Sequence, residues 1–330
     1  MRIGILGCGH IARKVAADLQ LVPGATLQAV GARSKASADA FVQIYSAPHV
    51  HYSYESLVQD SSVEVIYIAT PHAFHAAHAM LCLNHGKHVL CEKSFTMNTH
   101  QAEEVFDLAS KNNLFIMEAL WTKFLPHYIA TKKLIDTNTI GSIQHINASF
   151  GFVVDKPLDQ RLWNPALGGG SLLDIGVYNV FMVQSLLGMP DNVHAHACMS
   201  TTGVDASCAV HLEYKNGATA HLYSSFTNYA PIEIQILGSN GRIHLTSRFY
   251  APSSSIVLYP GTDKTATNIS VHKESGWGYQ YQLRHVKDCL DSGLIESPIM
   301  SWQDTINQMK TLDTIRRKAG IFYDVDLEKK

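Results

Sequence analysis

Short apolar runs and helically spaced apolar positions alternate along the first 120 residues. The runs at 2–6, 26–31, 64–69, 87–91 and 114–117 predict strands, and the most continuous, 64–69, is typical of a strand buried on both faces. The segments between them, at 11–20, 37–45, 72–85 and 98–111, show helical spacing. Strands that alternate with helices predict an α/β fold with a parallel, doubly wound sheet.

The pattern changes after about residue 120. A predicted helix at 122–135 is followed by strand-like segments at 143–152, 192–202, 207–215, 218–226, 232–237 and 242–246. A helix at 171–187 interrupts them, and helices near 278–292 and 302–319 close the chain. We therefore predict two domains. The first covers 1–120, and the second, 121–330, is an α+β domain with a large, mostly antiparallel open sheet, whose C-terminal helices can pack back on the first domain.

Composition narrows the function classes. The 330 residues suit two domains, and the 46% hydrophobic and 16% charged residues allow large cores. A formal net charge of −2 without a basic block argues against nucleic acid or an anionic membrane as a partner. No run of about 18 apolar residues is evident, so we expect no transmembrane helix. The six cysteines lack a C-x-x-C pattern and no secretion signal is evident, which favours free thiols in the cytoplasm.

The first predicted strand is followed by Gly7-Cys8-Gly9-His10-Ile11-Ala12, which opens the first helix. In a G-x-G-x-x-A turn, Gly7 permits the tight turn, Gly9 lets a pyrophosphate approach the backbone, and Ala12 keeps the helix near the strand. The N–H groups of His10, Ile11 and their neighbours at the helix start, with the helix dipole, favour phosphate. The loop predicts a Rossmann domain that binds a nicotinamide dinucleotide, although glycines can also serve only a turn.

Arg33 and Ser34 follow the second predicted strand, where NAD-binding sites usually carry an acidic residue. A guanidinium and a hydroxyl suit a 2′-phosphate instead, so the sequence favours NADP while NAD remains open. The alternative is a solvated arginine at the start of a helix.

Two segments follow strand ends and a third opens the helix at 171–187. They are Ala69-Thr70-Pro71-His72, Cys91-Glu92-Lys93-Ser94 and Gly168-Gly169-Gly170-Ser171-Leu172-Leu173-Asp174-Ile175-Gly176-Val177-Tyr178. Ligands of open parallel sheets bind where the strands end. Asp174 and Tyr178, four residues apart, are expected to share one helix face.

These segments resemble the glucose–fructose oxidoreductase, inositol dehydrogenase and rhizopine catabolism (Gfo/Idh/MocA) family, over essentially the whole chain. The phrase Met117-Glu118-Ala119-Leu120-Trp121-Thr122-Lys123-Phe124-Leu125-Pro126 is similar to its branch of dimeric dihydrodiol dehydrogenases and NADP-dependent D-xylose 1-dehydrogenases. The chain departs from the family in two places. Tyr178 stands where many members have histidine, and Ser94 replaces the proline of E-K-P, which favours a trans Lys93–Ser94 peptide bond.

The resemblance implies hydride transfer to or from a sugar or a cyclic diol, with Tyr178 as acid and base. A tyrosine phenol has a pKa of about 10, which is high for this task. An ammonium about 4 Å away stabilises a phenolate by up to about 4 kcal/mol at an effective dielectric near 20, or roughly three pKa units. Lys93 is therefore the expected partner of Tyr178, with Asp174 orienting the substrate or the lysine. The alternative is a surface ion pair of Lys93 with Glu92 and a core tyrosine.

The same resemblance implies further binding residues. Thr70, Pro71 and His75 match a segment near the nicotinamide ribose, and Glu92 is a candidate to bind a ribose hydroxyl or the nicotinamide amide. Ordinary strand-end and helix-cap roles remain the alternative. Residues expected to line the nicotinamide or substrate pocket are Trp121, Phe124, Phe152, Arg161 and Trp163.

Other functions remain open. A dinucleotide sensor without catalysis, or a glycoside 3-dehydrogenase or anhydrofructose reductase, fits the same fold. The histidines at 72, 75 and 78, and at 194 and 196, lack an H-E-x-x-H pattern or a cysteine cluster, so we predict no functional metal. An open second sheet, together with the resemblance, predicts a homodimer or homotetramer formed through that sheet.

Overall fold

The computed structural model describes residues 1–155, 160–261 and 265–326. Two compact units are present. The first unit contains Met1–Lys123 and Glu274–Ile306, and the second unit contains Phe124–Lys273 and the residues from Asn307 onward.

The first unit is built on a six-stranded sheet in which every neighbouring pair is parallel. Its order is β3-β2-β1-β4-β5-β6. The strands are β1 (Arg2–Leu6), β2 (Thr26–Gly31), β3 (His49–His51), β4 (Val65–Ile68), β5 (His88–Glu92) and β6 (Ile116–Ala119). The four residues of β4 are all buried, as expected of a central strand covered by helices on both faces. The predicted doubly wound Rossmann sheet is confirmed.

Helices connect these strands as the apolar spacing predicts. They are α1 (His10–Leu19), α2 (Lys35–Val42), α3 (Tyr54–Val58), α4 (His75–Asn84) and α5 (Thr99–Asn112). Side chains cap several of them. Asn98 accepts the Gln101 N–H at the start of α5, and Asn113 ends that helix with φ of 53°, a left-handed conformation that asparagine tolerates. The three-residue β3 and the five-residue α3 were not predicted, because neither is long enough to show a periodic pattern.

The second unit begins with α6 (Pro126–Asp136) and contains an eight-stranded sheet. Its order is β14-β13-β12-β11-β7-β10-β9-β8. The strands are β7 (Ile143–Gly151), β8 (Asn192–Met199), β9 (Asp205–Glu213), β10 (Thr219–Ser225), β11 (Ala230–Gly238), β12 (Gly241–Thr246), β13 (Ser255–Pro260) and β14 (Thr267–Ile269). Among the described strands of this sheet, only β7 and β10 are parallel neighbours, so the predicted mostly antiparallel sheet is confirmed.

One face of this sheet packs against α7 (Val177–Leu187), which contacts β7 and β10. The stretch 171–187 is helical, as predicted, but Leu172–Gly176 forms a π-helical turn before α7 begins. The opposite face carries a shallow trough of about 550 Å³, lined by residues of β7 to β11, including His194, His211 and His221.

The remaining helices are α8 (Gln280–Asp291) and α9 (Trp302–Ala319). By length and composition alone, one described segment, Pro165–Leu187, is long and apolar enough to cross a membrane. Its most apolar window is 83% buried inside the protein, as in the core helix of a globular domain.

Candidate functional site

The glycine-rich turn lies where β1 ends and α1 begins. Gly7 has φ of 100°, and a Cβ there would lie 3.0 Å from the carbonyl oxygen of Ala69. Gly9 is exposed and precedes α1 without a side-chain cap, so a phosphate can approach the N–H groups of the first turn, at the exposed His10 and half-buried Ile11. Ala12 is fully buried beside the sheet. The turn thus fits a dinucleotide pyrophosphate.

Arg33 and Ser34 follow β2 at the same edge of the sheet, and both are exposed. The Ser34 hydroxyl caps α2 by accepting a backbone N–H. The Arg33 guanidinium lies 5.8 Å from the centre of the Phe74 ring, which holds this cation beside the turn that follows β4.

His75 connects the turns that follow β4 and β5. Its ring is fully buried, with Nε2 2.8 Å from the Thr70 carbonyl oxygen and Nδ1 2.8 Å from the Ser94 carbonyl oxygen. Burial lowers the pKa of His75, and a neutral imidazole donates only one of these two hydrogen bonds at a time. Thr70 also contacts His78 Nδ1 through its hydroxyl, at 2.9 Å. Pro71 follows in extended backbone and begins a short 3₁₀ turn.

Lys93 is half-buried in the turn after β5. Its N–H donates to Glu92 Oε2 at 3.3 Å, and Glu92 Oε1 accepts the hydroxyl of the fully buried Tyr67. The Lys93–Ser94 peptide bond is cis, so the expectation of a trans bond was wrong. The backbone on both sides is held by side chains, since His75 binds the Ser94 carbonyl and Glu118 accepts the Phe95 N–H.

Glu118 is a buried carboxyl behind the Lys93 turn that the sequence analysis did not single out. Its Oε1 accepts the Phe95 N–H at 3.2 Å and its Oε2 accepts the Thr305 hydroxyl at 3.0 Å. Only 1% of the residue is exposed, and burial raises its pKa from the ordinary 4.5 to about 7. Glu118 therefore joins the Lys93 turn to α9 through a group that titrates near neutral pH.

Replacement of this carboxyl is expected to change how stability depends on pH. Folded Glu118 keeps its proton to higher pH than the unfolded chain, so its contribution to the free energy of unfolding falls as pH rises from about 4.5 to about 7. Glutamine does not titrate, so this decrease in the free energy of unfolding is absent in Glu118→Gln. Its amide can still accept a hydrogen bond from the Phe95 N–H and donate one to the Thr305 hydroxyl. The unfolding free energy of the variant relative to the parent should rise by about 3 kcal/mol across this window.

Denaturant unfolding at pH 5 and pH 8 measures this difference. Asp107→Asn, at an exposed carboxyl on α5, is the matched control and should show little change between the two pH values. A Glu118→Gln difference that stays constant with pH would contradict the assignment.

Trp121 lies beyond the end of β6 and stacks on Tyr279, with ring centroids 4.4 Å apart and planes 11° apart. The Tyr279 N–H donates to Asp18 Oδ2 at 2.7 Å, and the Trp277 N–H donates to Asp18 Oδ1 at 2.8 Å. Asp18 is buried on α1, the helix that follows the glycine turn. Tyr279 thereby links Trp121 to α1. The sequence analysis did not identify Tyr279.

In the second unit, Asp174 lies in the π-helical turn and Tyr178 in the first turn of α7. The wider π turn changes the simple helical spacing expected for this pair. Arg161 donates to Asp174 Oδ1 at 2.9 Å, an ion pair in which the Asp174 side chain is 11% exposed. Both Asp174 and Tyr178 are buried, and Tyr178 is 7% exposed.

Asp205, another residue that the sequence analysis missed, binds the start of the helical segment 171–187. Its Oδ2 accepts the Leu172 N–H and the Ser171 hydroxyl, each at 2.7 Å. Burial raises the pKa of Asp205 to about 6. Gly170 has φ of 114°, and a Cβ there would lie 2.2 Å from Asp205 Oδ1, so this approach requires glycine.

Aromatic rings surround Tyr178 within the second unit. Tyr250 lies 4.8 Å from it between ring centroids, and Phe150 lies 6.2 Å away. Phe152 and Trp163 each lie 5.5 Å from the Phe226 ring. Phe124 is also buried in this unit. Burial raises the pKa of Tyr250, a second phenol near Asp174 that the sequence analysis did not include.

The candidate residues thus fall into two sets. The first unit holds the glycine turn, Arg33, Ser34, Thr70, Pro71, His75, Glu92, Lys93 and Trp121, and the second holds Phe124, Phe152, Arg161, Trp163, Asp174 and Tyr178.

Comparison with known proteins identifies both parts of the chain. Residues 1–120 match the family described as "Oxidoreductase family, NAD-binding Rossmann fold", and residues 128–244 match the "GFO/IDH/MocA C-terminal domain". The chain belongs to the Gfo/Idh/MocA family. It is an oxidoreductase of that family with an NAD(P)-binding Rossmann domain, which confirms the resemblance drawn from its motifs.

The proteins similar to this chain include several trans-1,2-dihydrobenzene-1,2-diol dehydrogenases. The enzyme of Xenopus laevis is 35% identical, with 97% of this chain and 98% of that protein covered. The enzyme of Sus scrofa is 31% identical, with 99% of each chain covered.

Solved structures extend the comparison. A 3-ketoreductase from Actinomadura kijaniata, in complex with NADP and TDP-benzene, has a TM-score of 0.86 and 26% identity, with 97% of this chain and 98% of that chain covered. The same ketoreductase has been solved as a tyrosine-to-phenylalanine variant and as a lysine-to-alanine variant. An aldose–aldose oxidoreductase from Caulobacter crescentus shares the fold, with a TM-score of 0.89 at 22% identity and 97% of each chain covered.

Proposed function

We propose that this protein is an NADP-dependent dehydrogenase or reductase acting on a CH–OH group of a sugar or a cyclic diol, or on the corresponding carbonyl. The observation that carries the proposal is Tyr178, a nearly buried phenol among aromatic rings, in the same segment as the Arg161–Asp174 ion pair. Lys93, at the strand edge that also bears the glycine turn, is its proposed partner.

The proposed roles follow from proton accounting. A nicotinamide dinucleotide held at the glycine turn would supply the hydride acceptor in oxidation and the hydride donor in reduction. In oxidation, Tyr178 as phenolate takes the hydroxyl proton while the carbon–oxygen double bond forms, and in reduction its hydroxyl gives that proton back. Lys93 stabilises the phenolate by its positive charge. Asp174, held by Arg161, orients a substrate hydroxyl.

The remaining candidates have supporting roles in this proposal. Thr70, Pro71, Glu92 and Trp121 bind the ribose and nicotinamide end of the cofactor, while the buried His75 acts by fixing the turns that carry Thr70 and Lys93. Phe124, Phe152 and Trp163 provide apolar surface for one face of a sugar ring or a diol.

Cofactor preference is the part of the proposal that rests on Arg33. Arg33→Ala is expected to raise KM for NADP about ten- to a hundredfold, because a charge-assisted hydrogen bond to phosphate contributes about 1.5–3 kcal/mol. KM for NAD should change little, since NAD lacks the 2′-phosphate. Steady-state kinetics with both cofactors measure the two effects.

Lys35→Ala is the control for this experiment. The Lys35 ammonium is already held by Asp39 at 2.9 Å and by the Tyr52 hydroxyl at 3.1 Å, so its removal should leave the NADP preference largely intact. A parent enzyme that prefers NAD, or an equal loss for both cofactors in Arg33→Ala, would overturn the assignment.

Substrate class is tested by a spectrophotometric panel. The production of reduced cofactor is followed with D-xylose, D-glucose and a dihydrodiol, and its consumption is followed with dicarbonyls. Turnover of a sugar or diol supports the proposal. Tight NADP binding without turnover on any of them favours the dinucleotide sensor. The 3-ketoreductase among the similar structures makes a 3-keto sugar the second candidate class, and it belongs in the same panel.

We also propose that the protein forms a homodimer or homotetramer through the second sheet. The trough on its uncovered face supports this, because a large open sheet face is a common subunit interface. Solution scattering measures the mass, and a monomer at micromolar concentration would contradict the proposal.

A further inference from the structure

Three side chains of the first unit converge at the edge of its sheet, and none of them belongs to the residues assigned above. His49 and His51 are alternate residues of the edge strand β3, so their side chains lie on the same face. Asp60 follows α3. His49 Nδ1 lies 2.6 Å and His51 Nε2 lies 2.9 Å from Asp60 Oδ2, and the three atoms are all within 4.8 Å of one another.

The carboxylate is oriented before any ligand binds. Asp60 Oδ1 accepts the Ser62 N–H at 2.9 Å and the Ser62 hydroxyl at 2.6 Å, which directs Oδ2 towards the two imidazoles. Burial acts to raise the pKa of Asp60, but hydrogen bonds from Ser62, His49 and His51 outweigh it and hold the pKa well below its ordinary value. The group is therefore an anion throughout the physiological pH range.

The three side chains differ in their exposure to solvent. The Asp60 side chain is 7% exposed, whereas the His49 side chain is 45% exposed and that of His51 is 20% exposed. An ion can thus enter from solvent on the histidine side, where water can complete its coordination. His49, being exposed, can also shift without disturbing the core.

We propose that His49, His51 and Asp60 form a zinc site. Two imidazole nitrogens and one carboxylate oxygen are ligands that Zn²⁺ prefers, with a fourth position left for water. Tetrahedral ligands at about 2.0–2.1 Å from the ion lie roughly 3.3 Å apart, so each nitrogen–oxygen separation must widen by less than about 1 Å. Ser62 then serves as the partner that fixes the carboxylate, in the way that outer groups orient metal ligands.

The sequence offered little signal for this site. An H-x-H pair on a short strand is a weak motif, and the third ligand comes from beyond an intervening helix. The expectation of no functional metal considered only the histidines at 72, 75 and 78 and at 194 and 196.

The position of the site indicates what the ion does. Ala32, the residue directly before Arg33, donates its N–H to the His51 carbonyl oxygen at 3.1 Å. Lys87 Nζ donates to the Asp60 carbonyl oxygen at 2.7 Å. Zinc would therefore tie the edge strand β3 to the segment after α3, and would stabilise the part of the sheet that carries Arg33. Its expected role is structural and independent of the proposed reaction.

Calorimetric titration of the full-length, chelator-stripped protein with Zn²⁺ tests the proposal. The parent protein should bind with micromolar or tighter affinity, and His49→Gln and Asp60→Asn should each weaken this binding at least about tenfold. His85→Gln, which removes an exposed histidine outside the cluster, should leave it unchanged. Because His49 is exposed, its replacement is not expected to affect folding.

A second measurement guards against zinc bound at other histidines or at cysteines. Zn²⁺ should raise the melting temperature of the parent and of His85→Gln, but not that of His49→Gln. No Zn²⁺ binding by the parent, or equal binding and equal thermal shifts in His49→Gln, would overturn the proposal.

Discussion

Tyr178→Phe is expected to lower kcat by about 10²–10⁴-fold, the usual contribution of a positioned general acid or base. The substitution removes one oxygen and keeps the ring, so the packing of Tyr178 against Tyr250 and Phe150 is preserved. NADP affinity and melting temperature should remain close to those of the parent. Steady-state kinetics, cofactor titration and thermal unfolding measure the three quantities on the same preparations.

Tyr250→Phe is the matched control, because Tyr250 is the neighbouring phenol, 4.8 Å from Tyr178 between ring centroids. Its replacement should reduce kcat far less. If the two variants exchange these effects, Tyr250 is the acid and base and the assignment to Tyr178 is wrong. If neither variant loses activity, no phenol of this cluster takes part in proton transfer.

Lys93→Met is expected to reduce kcat by at least about 10²-fold. In the reduction direction, where Tyr178 must carry its proton, it is expected to move the basic limb of the kcat–pH profile to higher pH. An ammonium close to a phenolate lowers the phenol pKa by up to roughly three units at an effective dielectric near 20, and methionine removes that charge while keeping the chain length. Cofactor affinity should fall by only a few-fold, because the proposed phosphate site is the glycine turn and not Lys93.

Lys111→Met, at an exposed position near the end of α5, controls for a general effect of removing a lysine. The double variant with Tyr178→Phe adds a sharper test. When two residues act as one catalytic unit, removing both reduces kcat little more than removing one. The kcat of the double variant should therefore be close to that of the less active single variant. Multiplicative losses would show that Lys93 acts separately from Tyr178, for example on the substrate oxygen.

The elements that the sequence predicted well are those with a local pattern. Strand β4 lies in a continuous apolar run, helix α5 is long enough to show its period, and the glycine turn has its chemistry in six consecutive residues. Strand β3 and the π turn at Leu172–Gly176 were missed. Strand β3 is too short to show a period. The start of the π turn is held by hydrogen bonds from Ser171 and Leu172 to Asp205, a residue of the later strand β9.

The supporting residues of the candidate site show the same division. Trp121 was proposed from its motif, but Tyr279, which stacks on it, is positioned by Asp18, 261 residues earlier in the chain. Glu118 stood within a quoted motif, yet its role depends on Thr305, 187 residues later. Nothing in the sequence near either residue marks these partners.

By itself, the sequence determined the family, the two sheet types and the identity of the candidate dinucleotide and acid–base residues, because periodicity and short motifs are properties of neighbouring residues. The tertiary structure decided which buried groups support them and how they titrate. Burial of Glu118 and the convergence of His49, His51 and Asp60 arise only when distant segments pack together. Desolvation and hydrogen bonding act through space, so the pKa of a carboxyl and the ligands of an ion follow from the folded chain.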